Sequence, residues 1–158
     1  MKICDILKEP LIVPQLQASD KAGVLHELAE HLHAHVAHLG TVGVSIDDIA
    51  HALVTREQLG STGVGEGVAI PHAKIPGIAN LVAAFGRAPA GVPFDAIDLQ
   101  PVNLIFVLLV PENSAGAHLK ALARISRLLK NGDFRSRLLG TDGAHPIYAA
   151  FVEEDEKN

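Results

Sequence analysis

The sequence predicts an α/β fold, a three-layer α/β/α sandwich in which helices flank a small mixed β-sheet. Segments with apolar residues at helical spacing alternate along the chain with short apolar runs, an order typical of α/β proteins. The run 102–110 is nearly all apolar, as expected of a central strand covered on both faces. The length of 158 residues fits one domain, which we assign to residues 1–152.

The composition excludes several classes of protein. Hydrophobic residues make up 48% of the chain and charged residues 20%, which fits a folded protein rather than a disordered one. The net charge of −5 argues against nucleic acid as a partner, because phosphate backbones attract basic patches. The N-terminus has no signal-peptide pattern, no apolar run is long enough to cross a bilayer, and Cys4 is the single cysteine. We therefore expect a cytoplasmic protein without membrane insertion or disulfides.

The first elements are two short pieces and a long helix. Residues 3–7 suit one helical turn, and 11–16 a short strand at a sheet edge. Ser19 is a favoured capping residue, so we expect the helix to begin there. Its apolar residues recur at helical spacing as far as residue 39, and Gly40 is a typical helix stop.

This helix, 20–39, is rich in histidine, with residues His26, His31, His33, His35 and His38. His31 and His35 are four positions apart and share a face, which is compatible with a metal site. No carboxylate or cysteine completes a recognisable ligand set, so we favour a solvated face and predict no metal. Metal binding and a pH-sensitive surface remain alternatives.

The next helix spans residues 46–59. Ser45 is its predicted cap, with Asp48 at the capping-box position. Gly60 ends it. Arg56 lies in the last turn, where a cation stabilises the helix dipole.

The second half predicts two strands, three helices and a tail. The third helix from the end has an apolar stripe that we expect to be buried: Leu119, Leu122, Ile125, Leu128 and Leu129. The charged residues 153–158 are predicted to fray. In chain order the elements are strand 81–87, a turn at 88–91, strand 102–110 and helices 115–130, 134–139 and 144–151.

The stretch 60–76 is the most distinctive part of the sequence. It has four glycines in eight residues, then a short apolar strand, 68–70, and Pro71-His72. Glycines allow close approach of a ligand, and successive N–H groups can bind an anion. A P-loop is excluded because Glu66-Gly67 stands where Lys-Ser/Thr is needed. The pattern indicates a phosphate-handling site that contains His72.

Such a site suits phosphoryl transfer, in which a neutral imidazole attacks phosphorus and the protein supplies positioning and charge. His72 would be the nucleophile and Arg56 a cation over the phosphoryl oxygens. His118, in the first turn of its helix and on the inward face, would be a second donor. Taken alone, His118 is equally compatible with a core histidine and Arg56 with a helix-dipole partner. Ser61, Thr62 and the backbone at Gly63 would complete the cradle, without metal or cofactor.

Four segments carry a resemblance to a known family: TREQLGSTG, STGVGEGVAIPHAK, PFDAIDLQPVNLIFVLLVP and HLKALARISRLL. Together they resemble the enzyme IIA domains of the bacterial phosphotransferase system of fructose/mannitol type (type 2), and in particular the nitrogen-regulatory branch. The resemblance runs from about residue 7 to residue 139. It implies that His72 accepts the phosphoryl group, supported by Arg56 and His118. Glu66 and Ala73 stand where that branch often has asparagine and glycine.

The resemblance implies a phosphoryl carrier that is charged by an HPr-like phosphocarrier protein. Its phosphorylation state would control targets such as potassium-transport proteins or sensor kinases. One alternative is a sugar-transport enzyme IIA that donates to a IIB domain. Another is a binding module that is never phosphorylated, in which Arg56 is only a dipole partner and His118 only a core residue.

Overall fold

The structure is a computed structural model that describes residues 1–114 and 116–157. After two 3₁₀ turns, Ile3–Asp5 and Glu9–Leu11, the described chain alternates strands and helices. The strands are β1 (Ile12–Val13), β2 (Gly63–Gly65), β3 (Val68–Ala69), β4 (His72–Ile75), β5 (Val82–Val92) and β6 (Val102–Pro111). The helices are α1 (Lys21–His35), α2 (Ala37–Thr41), α3 (Ile46–Gln58), α4 (Ala117–Lys130), α5 (Gly132–Gly140) and α6 (Ala144–Lys157).

The strands form one mixed sheet in the order β1-β5-β6-β3-β2, and β4 pairs with the later part of β6. β5 runs antiparallel to β6, whereas β3 and β4 run parallel to it. Residues 104–110 of β6 are almost fully buried, which confirms the predicted central strand.

Helices cover the sheet in two layers, as the α/β sandwich prediction requires. α1 and α3 pack against each other and against β5 and β4. On the α5–α6 side, the ring of Phe151 lies 5.1 Å from that of Phe85 and 6.0 Å from that of Phe106. Phe134 packs edge-on against Phe151 at 5.2 Å. This aromatic cluster joins α5 and α6 to the centre of the sheet.

The long first helix differs from the prediction at both ends. Asp20, not Ser19, is its cap, because the Asp20 carboxylate accepts the N–H of Gly23 at 2.7 Å. The helix then breaks at the β-branched Val36, whose backbone is extended, and α2 continues past Gly40 to Thr41. By contrast, Ser45 and Asp48 form the predicted capping box of α3.

The predicted turn at 88–91 is wrong, because β5 continues through it to Val92. The pairing of β5 with β6 shifts register between Arg87 and Val92. Gly91 has a φ of 83°, in the left-handed region that favours glycine. This shift of register allows the segment 88–91, which is rich in residues typical of turns, to remain part of the strand.

The inward face of α4 confirms three of the five predicted positions, Ile125, Leu128 and Leu129. Leu119 is 62% exposed and Leu122 only partly buried. The buried positions are Ala121, Arg124, Ile125, Leu128 and Leu129. The buried stripe thus includes a charged residue, Arg124, which a search for apolar residues at helical spacing does not find. The predicted first residue of this helix, Ala115, lies outside the described residues.

The predicted frayed tail is instead the end of a helix, since α6 continues to Lys157. Asp155 is 2% exposed and accepts the N–H groups of Ile3 and Cys4 at 3.0 and 2.9 Å. Arg124 pairs with the same carboxylate at 3.0 Å. This buried pairing holds the final turn against the N-terminus, where the charge pattern alone indicated solvent. The last residue of the predicted tail, Asn158, lies outside the described residues.

Hydrogen bonds outweigh the effect of burial and lower the pKa of the Asp155 carboxyl, so it stays ionised. Burial and the neighbouring Asp155 raise the pKa of the Cys4 thiol to about 12, which makes it a poor nucleophile. At the surface, Lys2 Nζ lies 3.0 Å from Glu156, beside the buried contacts. Among the described residues, no helix is long and apolar enough to span a membrane.

Candidate functional site

The fold places His72 at the start of β4, where the strand joins β6 opposite Leu108. Its side chain is partly buried, and Nδ1 lies 2.9 Å from the carbonyl oxygen of Ile70. A carbonyl only accepts hydrogen bonds, so Nδ1 carries the proton and Nε2 keeps its lone pair. Within residues 1–114 and 116–157, Nε2 has no hydrogen-bond partner. The ring is therefore oriented with its nucleophilic nitrogen available.

Arg56 reaches the same region from the last turn of α3. Its Nη1 donates to the carbonyl oxygen of Gly60 at 2.9 Å, which fixes the guanidinium at the helix end. The side chain is partly buried, and its positive charge acts on His72. This contact holds the cation at the end of α3, from where it acts electrostatically on the imidazole.

His118 approaches from the first turn of α4 and is partly buried rather than in the core. Its Nδ1 lies 2.6 Å from the hydroxyl oxygen of Ser114. His118, like Arg56, acts electrostatically on His72 and lowers its pKa. Three residues far apart in sequence, His72, Arg56 and His118, are brought together.

The balance of effects lowers the pKa of His72 below its ordinary value of 6.5. Burial is the largest cause, because it disfavours the charged form. The Ile70 hydrogen bond and Glu57 oppose the shift, whereas Arg56 and His118 add to it. The imidazole is accordingly neutral near neutral pH, as a nucleophile must be.

Glu57 is a component of the site that the sequence analysis missed. It is 7% exposed and accepts the backbone N–H of Thr62 at 3.1 Å and the Thr62 hydroxyl. Lys21 Nζ lies 3.1 Å from Oε1 of the same carboxylate. The available signal was the buried stripe of α3, in which Glu57 follows Leu53 at helical spacing. An acid in an apolar stripe indicates a buried, paired carboxylate.

The predicted phosphoryl-binding groups at Ser61, Thr62 and Gly63 already have internal partners. The Ser61 hydroxyl donates to the carbonyl oxygen of Phe94 at 2.5 Å and accepts the N–H of Gly63 at 3.0 Å. Thr62 gives both its N–H and its hydroxyl to Glu57. In this arrangement the groups shape the loop and are not free to bind a phosphoryl group.

Two glycines of this loop, Gly63 and Gly67, allow close packing and a tight turn. A Cβ on Gly63 would lie 2.7 Å from the Cβ of Ala96, so no larger residue fits. Gly67 has a φ of 75° at the tip of the β2–β3 hairpin. These positions bring the hairpin close to the loop before β6, which explains the pattern without an anion cradle.

The two positions that depart from the pattern of the resembled family, Glu66 and Ala73, differ in their exposure to solvent. Glu66 is exposed, with a φ of 58°, a conformation that asparagine adopts more readily than glutamate. Its N–H donates to Asp98 at 3.1 Å, and its carboxylate lies 3.5 Å from Arg135. Ala73 is 7% exposed within β4, next to His72.

The predicted histidine pair of α1, His31 and His35, makes contacts of its own. The rings of His31 and His35 have centroids 4.5 Å apart, and His31 Nε2 is 2.7 Å from the carbonyl oxygen of Pro10. The described residues contain no group of three or more His, Cys, Asp and Glu side chains arranged to hold a metal.

Comparison with known proteins connects the fold and this site to a family. Residues 5–154 match the family model for the "Phosphoenolpyruvate-dependent sugar phosphotransferase system, EIIA 2". The chain belongs to this EIIA 2 family. A nitrogen regulatory protein of Bradyrhizobium diazoefficiens is 40% identical over 152 residues, covering 96% of this chain and 95% of the relative. The resemblance inferred from the motifs is confirmed.

Other relatives show the range of the EIIA 2 family. The crystal structure of nitrogen regulatory protein IIA-Ntr from Neisseria meningitidis superimposes with a TM-score of 0.85 at 36% identity, covering 94% of this chain and 98% of that one. The fructose-specific EIIABC component of Bacillus subtilis is 34% identical over 158 residues, which cover 99% of this chain and 24% of that protein. The family thus includes both nitrogen-regulatory and sugar-specific members.

Proposed function

We propose that this EIIA 2 protein is a phosphoryl carrier of the nitrogen-regulatory phosphotransferase system, and that Nε2 of His72 accepts the phosphoryl group. The donor is a small HPr-like phosphocarrier protein bearing its own phosphohistidine. The phosphorylation state of the carrier then determines which regulatory targets bind to it. Potassium-transport proteins and sensor kinases are the candidate classes of target.

The orientation of His72 carries the proposal. The Ile70 carbonyl holds the Nδ1 proton, so the Nε2 lone pair is directed away from the backbone. In the transfer step the P–Nε2 bond to His72 forms while the bond between phosphorus and the donor imidazole breaks. The donor imidazole leaves with the electron pair, and no other reactant is needed.

Arg56 and His118 supply the electrostatic part of the mechanism. The phosphoryl group carries its charge on three oxygens, which a guanidinium and an imidazole N–H stabilise through charge-assisted hydrogen bonds. Arg56 is already held by Gly60 and His118 by Ser114, so both are ordered before the donor arrives. Ser61, Thr62 and Gly63 act indirectly, through the shape of the loop.

The direct test is incubation with phosphoenolpyruvate, general enzyme I and an HPr-like carrier, followed by intact mass spectrometry. We expect one acid-labile phosphoryl adduct on the wild type and none on His72→Ala. An adduct that persists on His72→Ala would place the acceptor elsewhere. A wild type that stays unmodified with several donors of this type would favour a binding module that is never phosphorylated.

The similarity to a fructose-specific protein favours a second candidate, a sugar-transport enzyme IIA that passes the phosphoryl group to a IIB domain. The same site chemistry serves both roles, so the acceptor test does not separate them. Addition of a phosphorylatable IIB domain with its sugar does. Rapid sugar-dependent loss of the adduct supports the transport role. The nitrogen-regulatory role is supported if the adduct is stable in the presence of IIB and if phosphorylation changes the binding of the protein to a regulatory target.

A further inference from the structure

Ser114 lies in the segment between β6 and α4, directly beside the proposed phosphoryl site. Its carbonyl oxygen accepts the N–H of Ala117 at 3.0 Å, which fixes its backbone at the start of the helix. Its hydroxyl oxygen lies 2.6 Å from Nδ1 of His118, one helical turn further on. Both side chains are partly buried. The pair is short and shielded, as expected of a bond that controls orientation.

The chemistry of the two hydrogen-bond partners favours opposite tautomers for the two histidines. His72 Nδ1 faces a carbonyl, which can only accept, so its proton is on Nδ1 and its lone pair on Nε2. His118 Nδ1 faces a hydroxyl, which can donate. Among the described residues the Ser114 hydroxyl has no other acceptor, which favours donation to His118 Nδ1. The His118 proton is then on Nε2.

We propose that Ser114 is a positioning residue that holds His118 in the Nε2–H tautomer, so that His118 presents a donor to the phosphoryl group on His72. The inference rests on the proposed function and adds a residue to it. In the other tautomer, Nε2 of His118 would direct a lone pair at the phosphoryl oxygens and repel them. The hydroxyl also suits the protonated imidazole, from which it can accept, so the ring keeps one orientation in both states.

The tautomer is measured directly by two-bond ¹H–¹⁵N NMR of the imidazole rings in the unphosphorylated protein at alkaline pH. In the wild type we expect His118 with the proton on Nε2 and His72 with the proton on Nδ1. Ser114→Ala should convert the His118 signal to a mixture of tautomers, and Ser114→Thr, which keeps a hydroxyl, should restore it. A wild-type His118 protonated on Nδ1 overturns the proposal, whatever the variants do.

Phosphoryl acceptance supplies the functional readout. Loss of one such hydrogen bond should slow acceptance by about 3- to 10-fold in Ser114→Ala, with Ser114→Thr within about twofold of wild type. Ser126→Ala, a partly buried serine further along α4, is the matched control and should match wild type. An equal loss in Ser126→Ala, or a Ser114→Ala rate within about twofold of wild type, overturns the positioning role.

The two readouts separate this inference from the proposed function. If the wild type forms no adduct, the proposed function fails, while the NMR tautomer still tests the Ser114–His118 bond. If the wild type forms the adduct on His72 but Ser114→Ala leaves tautomer and rate unchanged, only the positioning role fails.

Discussion

His72 and His31 share the same local arrangement, yet only one belongs to the site. Each ring has a nitrogen close to a backbone carbonyl oxygen, at 2.9 Å from Ile70 for His72 and 2.7 Å from Pro10 for His31. Burial is the largest cause of a lowered pKa in both. Neither a carbonyl partner nor a lowered pKa therefore defines a functional histidine.

The difference lies in what faces the remaining nitrogen and in the surrounding charge. His72 is bonded through Nδ1 and lies under the influence of Arg56 and His118. His31 is bonded through Nε2, and the titratable groups that act on it are His35 and Glu27. What distinguishes a candidate functional histidine from a structural one is a set of donor side chains around it, each held in place by other partners.

Replacing each histidine by glutamine should give the largest contrast. We expect His72→Gln to lose phosphoryl acceptance by about a thousandfold or more, because the nucleophile itself is removed. His31→Gln should stay within about twofold of wild type. The adduct is followed by intact mass over time. A comparable loss of phosphoryl acceptance in His31→Gln would contradict the different roles proposed for His72 and His31.

Arg56→Ala tests whether the cation matters for transfer or only for the helix. We expect acceptance to fall by about a hundredfold, since a preorganised donor to the phosphoryl oxygens is lost. The control is Arg127→Ala, an exposed arginine in the last turn of α4. If Arg56→Ala folds normally and keeps wild-type acceptance, its role is confined to the helix end, as in a pure binding module.

Glu57→Gln should lower the free energy of unfolding by more than His31→Gln does. The variant weakens the bonds to Thr62 and leaves Lys21 without its buried partner, at a cost of about 2–3 kcal/mol in the free energy of unfolding. Urea unfolding measures it, with the exposed Glu156→Gln as control. A cost equal to that of Glu156→Gln would mean that Glu57 does not hold the loop.

The pH dependence of acceptance should reveal the electrostatic neighbours of His72. Its pKa is lowered, so acceptance should remain at its plateau to a lower pH than an ordinary histidine allows. Arg56→Gln removes a group that lowers this pKa, so the acidic limb of the profile should move to higher pH. Glu57→Gln removes a group that raises it, so the limb should move to lower pH. Shifts in the same direction would contradict the arrangement.

The smallest effect concerns His31 and stability. Its pKa is lowered in the fold, so between that pKa and the ordinary value of 6.5 the unfolded chain binds more protons. Stability therefore rises with pH across this window and is lost as pH falls through it. His31→Gln should flatten the slope of unfolding free energy against pH without affecting acceptance. An unchanged slope would show that His31 titrates normally.

Much of this architecture could be predicted from local patterns. The Ser45 cap and the central strand β6 follow from signals within a few residues, and the motif around His72 identified the family. The missed features depend on distant partners. The Ser61 hydroxyl binds Phe94, 33 positions away, and Asp155 binds the N-terminus, so neither pairing leaves a local trace.

The central histidine of the candidate site was predictable from the sequence, and its surroundings were less so. His72, Arg56 and His118 were named from motif and helix position, and the structure brings them together. Glu57 and Ser114 were missed because hydrogen-bond partners are set by three-dimensional approach. The glycine loop was assigned an anion cradle because glycine spacing does not distinguish ligand contact from tight packing.

The contacts of Asp155 with Ile3 and Cys4, and of Glu156 with Lys2, bring the two ends of the chain side by side. A circularly permuted protein is therefore feasible, with a short linker joining those ends. New ends could open at the exposed Gly43, between α2 and α3. Such a permutant would let a reporter be inserted beside α3, the helix that carries Arg56, while the two ends that close the fold stay joined.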